Sequence, residues 1–257
     1  MTRRPFARRS TVSRSRGFSL IELLVVLAIL GLICGSIFKL IAMVQERSRT
    51  EQVKVDYLQE ARDFVDQFFR DINQAGYPDG RMIDPTSLSW VPPLPVPPTP
   101  MMNDNRVATG LVKIDANEIW FEGDMYGSGT VQSVVYKVNG SGACALCLER
   151  SQKDKVTASP VTGQTQNWGT EVNDVQSPVI FTYFDTTGAQ VIGPLDVSTA
   201  VGAQKIASIK TVQINLRITN PAVIDPKTKR PIEMTFQGEV SINNCSLAAP
   251  SQPMSCL

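Results

Sequence analysis

Between residues 23 and 38 the only ionisable side chain is the thiol of Cys34, and this run limits what the chain can be. Six arginines precede it, Arg3, Arg4, Arg8, Arg9, Arg14 and Arg16, and the first 17 residues contain no acid. Extended back to Phe18, the apolar segment is 21 residues long. At helical rise that is about 31 Å, the thickness of one bilayer core. The arginine-rich end is expected to stay on the cytoplasmic side, with everything after the helix on the other face.

A secretory signal also combines a basic start with an apolar run, but its small residues lie beyond that run, at the cleavage site. Here the small residue, Gly17, comes first. A peptidase cutting after Gly17 would remove the leader, keep the helix and leave Phe18 as the new amino terminus. Glu22 is the anomaly in the segment. A carboxylate inside hydrocarbon costs several kcal/mol unless it finds a cation, so a retained one is read as functional. Cleavage would supply that cation as the α-amine of Phe18, on the same helix or on a neighbouring copy. The bland alternative is a first-turn Glu that snorkels and favours the positive end of the helix dipole.

Gly17-Phe18-Ser19-Leu20-Ile21-Glu22, followed by Leu-Leu-Val-Val-Leu-Ala-Ile-Leu-Gly, resembles the amino-terminal signal of type IV pilins and type II secretion pseudopilins almost residue for residue. The resemblance implies cleavage after Gly17 by a prepilin peptidase, N-methylation of Phe18, and a role for Glu22 in subunit assembly. It also implies a pilin-like α+β fold, with a long amino-terminal helix packed on a mainly antiparallel sheet.

The rest of the chain suits one external domain. Without the six leader arginines, the 25 basic residues fall to 19 against 24 acidic ones, a net charge of −5 that argues against a dominant nucleic-acid surface. No proline or glycine occurs from Leu40 to Ala75, and Leu58, Ala61, Val65, Phe68, Ile72 and Ala75 recur at helical spacing. Phe64 and Phe69 widen this apolar face, while Arg62, Asp66 and Arg70 mark a solvated one. Gly76 and Pro78 should end the helix. Six prolines in the ten residues Val91 to Pro100 favour an extended polyproline strip.

Beyond that strip the period changes to two. Strands are expected over Glu118–Phe121, Thr130–Val138, Pro178–Phe184, Ser208–Ile218 and Met234–Ile242. Ile209, Val212, Ile214, Leu216 and Ile218 fit one buried face, with a slip near Lys210 and Thr211. The organisation predicted is thus a leader (1–17), a membrane helix (18–44), its amphipathic continuation (45–76), a Pro-rich linker (77–117) and a β-rich domain (118–257). Phe69 to Tyr77, Ile119-Trp120-Phe121, Val134-Val135-Tyr136 with Leu148-Glu149-Arg150, and Phe181 to Gly188 resemble the layout of PilW-type minor pilins and GspJ-type minor pseudopilins. The Ala75-Gly76-Tyr77 helix ending favours the PilW side.

Cys34 in the apolar helix reads as a small hydrophobe. Cys144, Cys147, Cys245 and Cys256 are disulfide candidates, for which three pairings exist. The resemblance implies a carboxy-terminal loop closed by Cys245 and Cys256, while Cys144 and Cys147 could close a short loop of their own. The chain has no histidine, so Ser-His and Cys-His nucleophilic systems cannot be built, and zinc would need both cysteine pairs to converge. The sequence contains no signature of a cofactor. No metal is expected: Glu122 and Asp124, in a glycine-rich segment, could hold calcium with backbone carbonyls, but two carboxylates in such a hairpin are more often just a turn.

The function expected is therefore a non-catalytic minor pilin of a type IV pilus, with a type II secretion pseudopilin as the alternative and a membrane-anchored thiol oxidoreductase or other enzyme further off. Its partners by resemblance are the prepilin peptidase, other pilin or pseudopilin subunits, the inner-membrane assembly platform, and membrane lipid before assembly. Nucleic acid is not expected among them. The resemblance places the chain in the inner membrane, single-pass with its carboxy-terminal domain periplasmic, and later in the pilus or pseudopilus.

Overall fold

A computed structural model describes residues 19–78, 82, 104–140, 146–155 and 167–243. The chain divides into two compact units, Met1–Arg49 and Thr50–Leu257. The described part of the first unit is helical from Leu20 onward and belongs to helix α1, Leu20–Gln74, whose remainder opens the second unit. This boundary assigns most of the amphipathic stretch to the globular unit.

Within the second unit, α1 buries Tyr57, Ala61, Phe64, Phe68, Asp71 and Ile72. The expected stripe is there, with its centre moved toward Phe64 and Phe68. Gly76 ends the helix in the left-handed region at φ 84°, a conformation that costs glycine no Cβ clash. The next residues run along the second strand of the domain: Gly76 N–H donates to Glu122 O, and Asp124 N–H to Tyr77 O, both at 2.8 Å. Gly123 sits between these bonds. A Cβ there would lie 2.3 Å from Gln74 O, so only glycine lets the helix end approach the sheet.

The strands in chain order are β1 (Leu111–Ile114), β2 (Glu118–Gly123), β3 (Gln132–Asn139), β4 (Cys147–Asp154), β5 (Trp168–Val172), β6 (Phe181–Asp185), β7 (Gln190–Val191) and β8 (Leu195–Asp196). Helix α2 (Ala200–Ala207) follows, then β9 (Ile209–Ile224) and β10 (Pro231–Ser241). The strands form two sheets, ordered β5-β4-β3-β2-β1-β8 and β10-β9-β6-β7, and every pairing is antiparallel. The α+β layout of a long apolar amino-terminal helix with antiparallel sheets is the one expected. That there are two sheets, and that the first begins at Leu111 inside the segment expected to be linker, was not expected.

Phe68 shows why α1 and both sheets form one core. Its ring lies 5.3 Å from Tyr136 on β3 and 6.4 Å from Phe121 on β2, both edge-on, and stacks 5.5 Å from Phe181 on β6. One helical side chain therefore touches both sheets, and such aromatic pairs add to the gain from burial itself. The two sheets are also joined directly where Tyr183 Oη donates to Asp115 O at 2.9 Å. On β9 the residues Ile209, Val212, Ile214, Leu216 and Ile218 are buried as the alternation predicted. The slip at Lys210 is a bulge, because Phe184 pairs with Thr211 but Asp185 with Ile209.

Helix and first sheet are further tied by a buried polar knot. Asp71 Oδ2 accepts from Tyr136 Oη at 2.7 Å and from Arg150 Nε at 2.8 Å, and its Oδ1 accepts from Gln67 Nε2 at 2.7 Å. Burial, and then the Asp71 charge, push the Tyr136 hydroxyl well above its ordinary pKa, so it remains a donor.

Candidate functional site

The apolar half of α1 carries its polar chemistry at its first turn. Ser19 precedes the first helical residue and Glu22 is the third, the spacing of a capping box. Glu22 Oε2 accepts from Ser19 N–H at 3.1 Å, filling one of the donors that a helix start leaves open. The carboxylate thus turns back toward the amino end, one residue from the nitrogen that cleavage after Gly17 would free. Gly17 and Phe18 themselves lie outside the described residues. The Ser-x-x-Glu spacing was readable in the sequence and gives Glu22 a local partner that the sequence reading had not assigned to it.

From Leu20 to Val44 the large apolar side chains are 45–77% exposed. The core helix of a soluble domain would be covered by its own fold; this one is covered by nothing among the described residues, and it is long and apolar enough to cross a membrane. Lys39 is the next charged residue after Glu22, 17 positions along. Its stem is long enough to carry the ammonium to the interface.

Glu122 and Asp124, the two acids of the calcium alternative, each have partners within the fold. Glu122 is fully buried on β2, and its Oε2 accepts from Lys155 Nζ at 2.6 Å and from Thr109 N–H at 3.0 Å. An ammonium from this chain already stands where the metal would. Asp124 accepts instead from the backbone of its own turn, Ser128 N–H at 3.0 Å and Tyr126 N–H at 3.3 Å, with Gly129 N–H on its second oxygen at 2.6 Å. No group of three or more potential metal ligands occurs among the described residues.

Burial alone would raise the Asp124 pKa, but the amides of Gly129, Ser128 and Tyr126 outweigh it and hold the carboxyl below its usual value. A depressed folded-state pKa stabilises the fold above the unfolded value, about 3.9, and that contribution is lost as pH falls through the folded one. Asp124→Asn should therefore cost on the order of 1–2 kcal/mol at pH 7, and the gap from the parent should close at a pH acidic enough to protonate the folded-state carboxylate. Denaturant midpoints of both proteins at the two pH values check this.

Of the cysteines, Cys34 is a free thiol on α1. Cys147, at the start of β4, is disulfide-bonded, and its partner lies outside the described residues, as do Cys144, Cys245 and Cys256. The polyproline strip from Val91 to Pro100 lies outside them too.

Residues 12–38 match the family model of the prokaryotic N-terminal methylation motif. That interval holds the last two leader arginines, Gly17, Phe18, the Ser19–Glu22 cap and the apolar helix as far as Phe38. No curated protein and no solved structure matches the chain significantly. The motif together with the uncovered apolar helix fits single-pass anchoring in a membrane, and it implies processing by a prepilin peptidase and assembly with other pilins. Over those residues the chain carries the amino-terminal signal of prepilin-type proteins.

Proposed function

We propose that the chain is a minor pilin, a structural subunit stored in the inner membrane, cut after Gly17, N-methylated on Phe18 and built into a type IV pilus. The observation that carries this reading is the match over residues 12–38, running without a break into a helix whose third residue is the acid. In the membrane Glu22 can be served by its own amino end, as its bond to Ser19 N–H illustrates. In a filament the apolar helices exchange lipid for one another, and Glu22 of one copy takes the Phe18 amine of the next, fixing the axial step. The six leader arginines support a periplasmic globular unit under the positive-inside rule. A role as a structural subunit rather than an enzyme accords with the family signal.

A pseudopilin of a type II secretion machine would use the same amino-terminal chemistry. The Ala75-Gly76-Tyr77 ending of α1 favours the pilus. The decisive measurement is mass spectrometry of the amino-terminal peptide of the chain purified from its native membrane. We expect it to begin at Phe18 and to be heavier than the unmodified peptide by one methylene. A chain that keeps its arginines and still enters filaments would overturn the reading.

A further inference from the structure

The globular unit carries two oppositely charged features that the amino-terminal chemistry does not use. The first is the β9–β10 turn. Asp225 shapes it, accepting from Lys227 N–H at 2.7 Å and Thr228 N–H at 3.2 Å, and Lys54 of α1 reaches the same carboxylate at 3.4 Å. That pair sets the turn beside one side of the helix. The side chains of Lys227, Lys229 and Arg230 are exposed and form no ion pair among the described residues.

The second is a cleft of about 630 Å³ where α1 meets β4 and β5, with Asp63, Asp66, Arg70, Tyr126, Arg150 and Glu171 on its walls. The Arg150 charge is met by buried Asp71 at 2.8 Å, and Arg70 donates to the neutral Gln67 at 2.8 Å. Three acids therefore face one guanidinium, that of Arg70. Asp63 and Asp66 are neighbours at i,i+3 on the helix surface, both exposed and in no ion pair among the described residues, so their mutual repulsion is unrelieved. Burial pushes the Glu171 carboxyl above its ordinary pKa even though Arg150 pulls it down, which marks an acid short of a cation. Tyr126, 75% exposed at the rim, offers an aromatic face to an ammonium or guanidinium.

We infer that the basic turn of one copy of this chain docks into the acidic cleft of a second copy. Within one copy the two do not meet. At 100° per residue, Asp63, Asp66 and Arg70 lie about 120–180° round α1 from Lys54, and they stand about 14–24 Å further along it. Two globular units with this part of α1 side by side, shifted by that distance, bring turn to cleft. The two surfaces differ, so the contact is heterologous, and each copy keeps a turn or a cleft for a third. A divalent ion would satisfy the cleft and leave the turn, and a polyanion would satisfy the turn and leave the cleft. A second copy answers both. Each exposed pair brings about a threefold gain, so three bring about thirtyfold, a weak contact that adds to others between copies. It involves the globular unit alone, so it is tested apart from cleavage, methylation and the Glu22 pair.

The test is zero-length carbodiimide coupling of the full-length chain in detergent, as an equal mixture of isotopically light and heavy protein at low salt. Peptide mass spectrometry should find Lys227 or Lys229 joined to Asp63, Asp66 or Glu171 in light–heavy pairs, with a yield about tenfold lower in high salt. Two charge-reversed variants follow, one with Lys227→Glu, Lys229→Glu and Arg230→Glu, the other with Asp63→Lys and Asp66→Lys. Each alone should form no link between turn and helix, and each should keep the parent's denaturant midpoint, because all five side chains are exposed. Mixed together, they should give a new link between the two changed segments, with the acid now on the turn and the amine on the helix. No light–heavy link in the parent, or no new link in the mixture, would overturn the inference. So would a parent yield that high salt leaves unchanged, because charge would then not be what brings the copies together.

Discussion

Replacing Lys155 by methionine is expected to cost the globular unit about 3–5 kcal/mol, the usual penalty for removing one half of a buried ion pair. Both side chains of the Lys155–Glu122 pair are fully buried. The ammonium also donates to Val107 O at 2.9 Å and to Thr109 Oγ1 at 3.3 Å, so it gathers the segment leading into β1 onto β2. Glu122 Oε1 has no hydrogen-bond partner among the described residues. The pair is thus incompletely satisfied, and its net worth against an apolar substitute is small even though each half depends on the other. Methionine keeps much of the lysine stem and leaves the carboxylate stranded. The double change Lys155→Met with Glu122→Met should therefore recover most of the loss. Urea unfolding of the full chain in detergent, for the parent, both single changes and the double, measures the coupling. A Lys155→Met protein within about 1 kcal/mol of the parent would mean that Glu122 is solvated or otherwise paired, contrary to the burial argument.

That pair also marks where sequence reading ran out. Glu122 and Asp124 look alike along the chain, two acids in a glycine-rich segment, and nothing local says that one meets a lysine 33 residues away while the other folds onto its own turn. Asp71 was hidden for the same reason. It sits next to Arg70 and five residues from Asp66 on a helix whose polar residues are mostly solvated, and its contact with Tyr136 and Arg150, 65 and 79 residues on, makes it part of the core.

Features set by near neighbours were legible. The stop at Gly76, the alternation along β9 and even its bulge follow from steric rules that act within a few residues. Strand β4 was not seen because Cys147-Leu-Glu-Arg-Ser-Gln-Lys-Asp154 offers only Cys147, Leu148 and Ser151 to the interior. It is a strand because β3 and β5 bond its backbone on both sides. Strand β1 was not seen because four residues are too few to display a period. The split into two sheets depends on which hairpins pair, and pairing across long separations leaves no mark on composition. Helix α2 had a readable start, Thr199 accepting from Gly202 N–H at 3.0 Å, but its eight residues carry too little periodic signal to stand out.

Glu22→Ala is expected to leave cleavage after Gly17 intact and to lower incorporation into filaments about 100-fold. The size follows from the partner left behind. Truncating one member of a desolvated charge pair costs 2–5 kcal/mol, mostly because the other charge stays buried alone, and 3 kcal/mol is a factor of about 100. Cleavage is spared because the peptidase acts on the bond after Gly17, on the other side of Phe18 from the acid. The competing account is the capping role, since Glu22 Oε2 already accepts from Ser19 N–H. A lost cap costs only about 1 kcal/mol, and it frays the first turn without touching a neighbour. Glu22→Gln separates the two. Glutamine can accept the same amide and complete the same capping box, so it should assemble nearly as well as the parent if capping is what matters. It carries no charge for the Phe18 amine, so it should fail as alanine does if pairing between copies is what matters. Quantitative immunoblots of sheared filaments and of the membrane fraction, for the parent and both variants, give incorporation, and the mobility of the membrane form reports cleavage. Wild-type incorporation of Glu22→Gln would remove the intersubunit pair from the mechanism and leave the acid a helix cap.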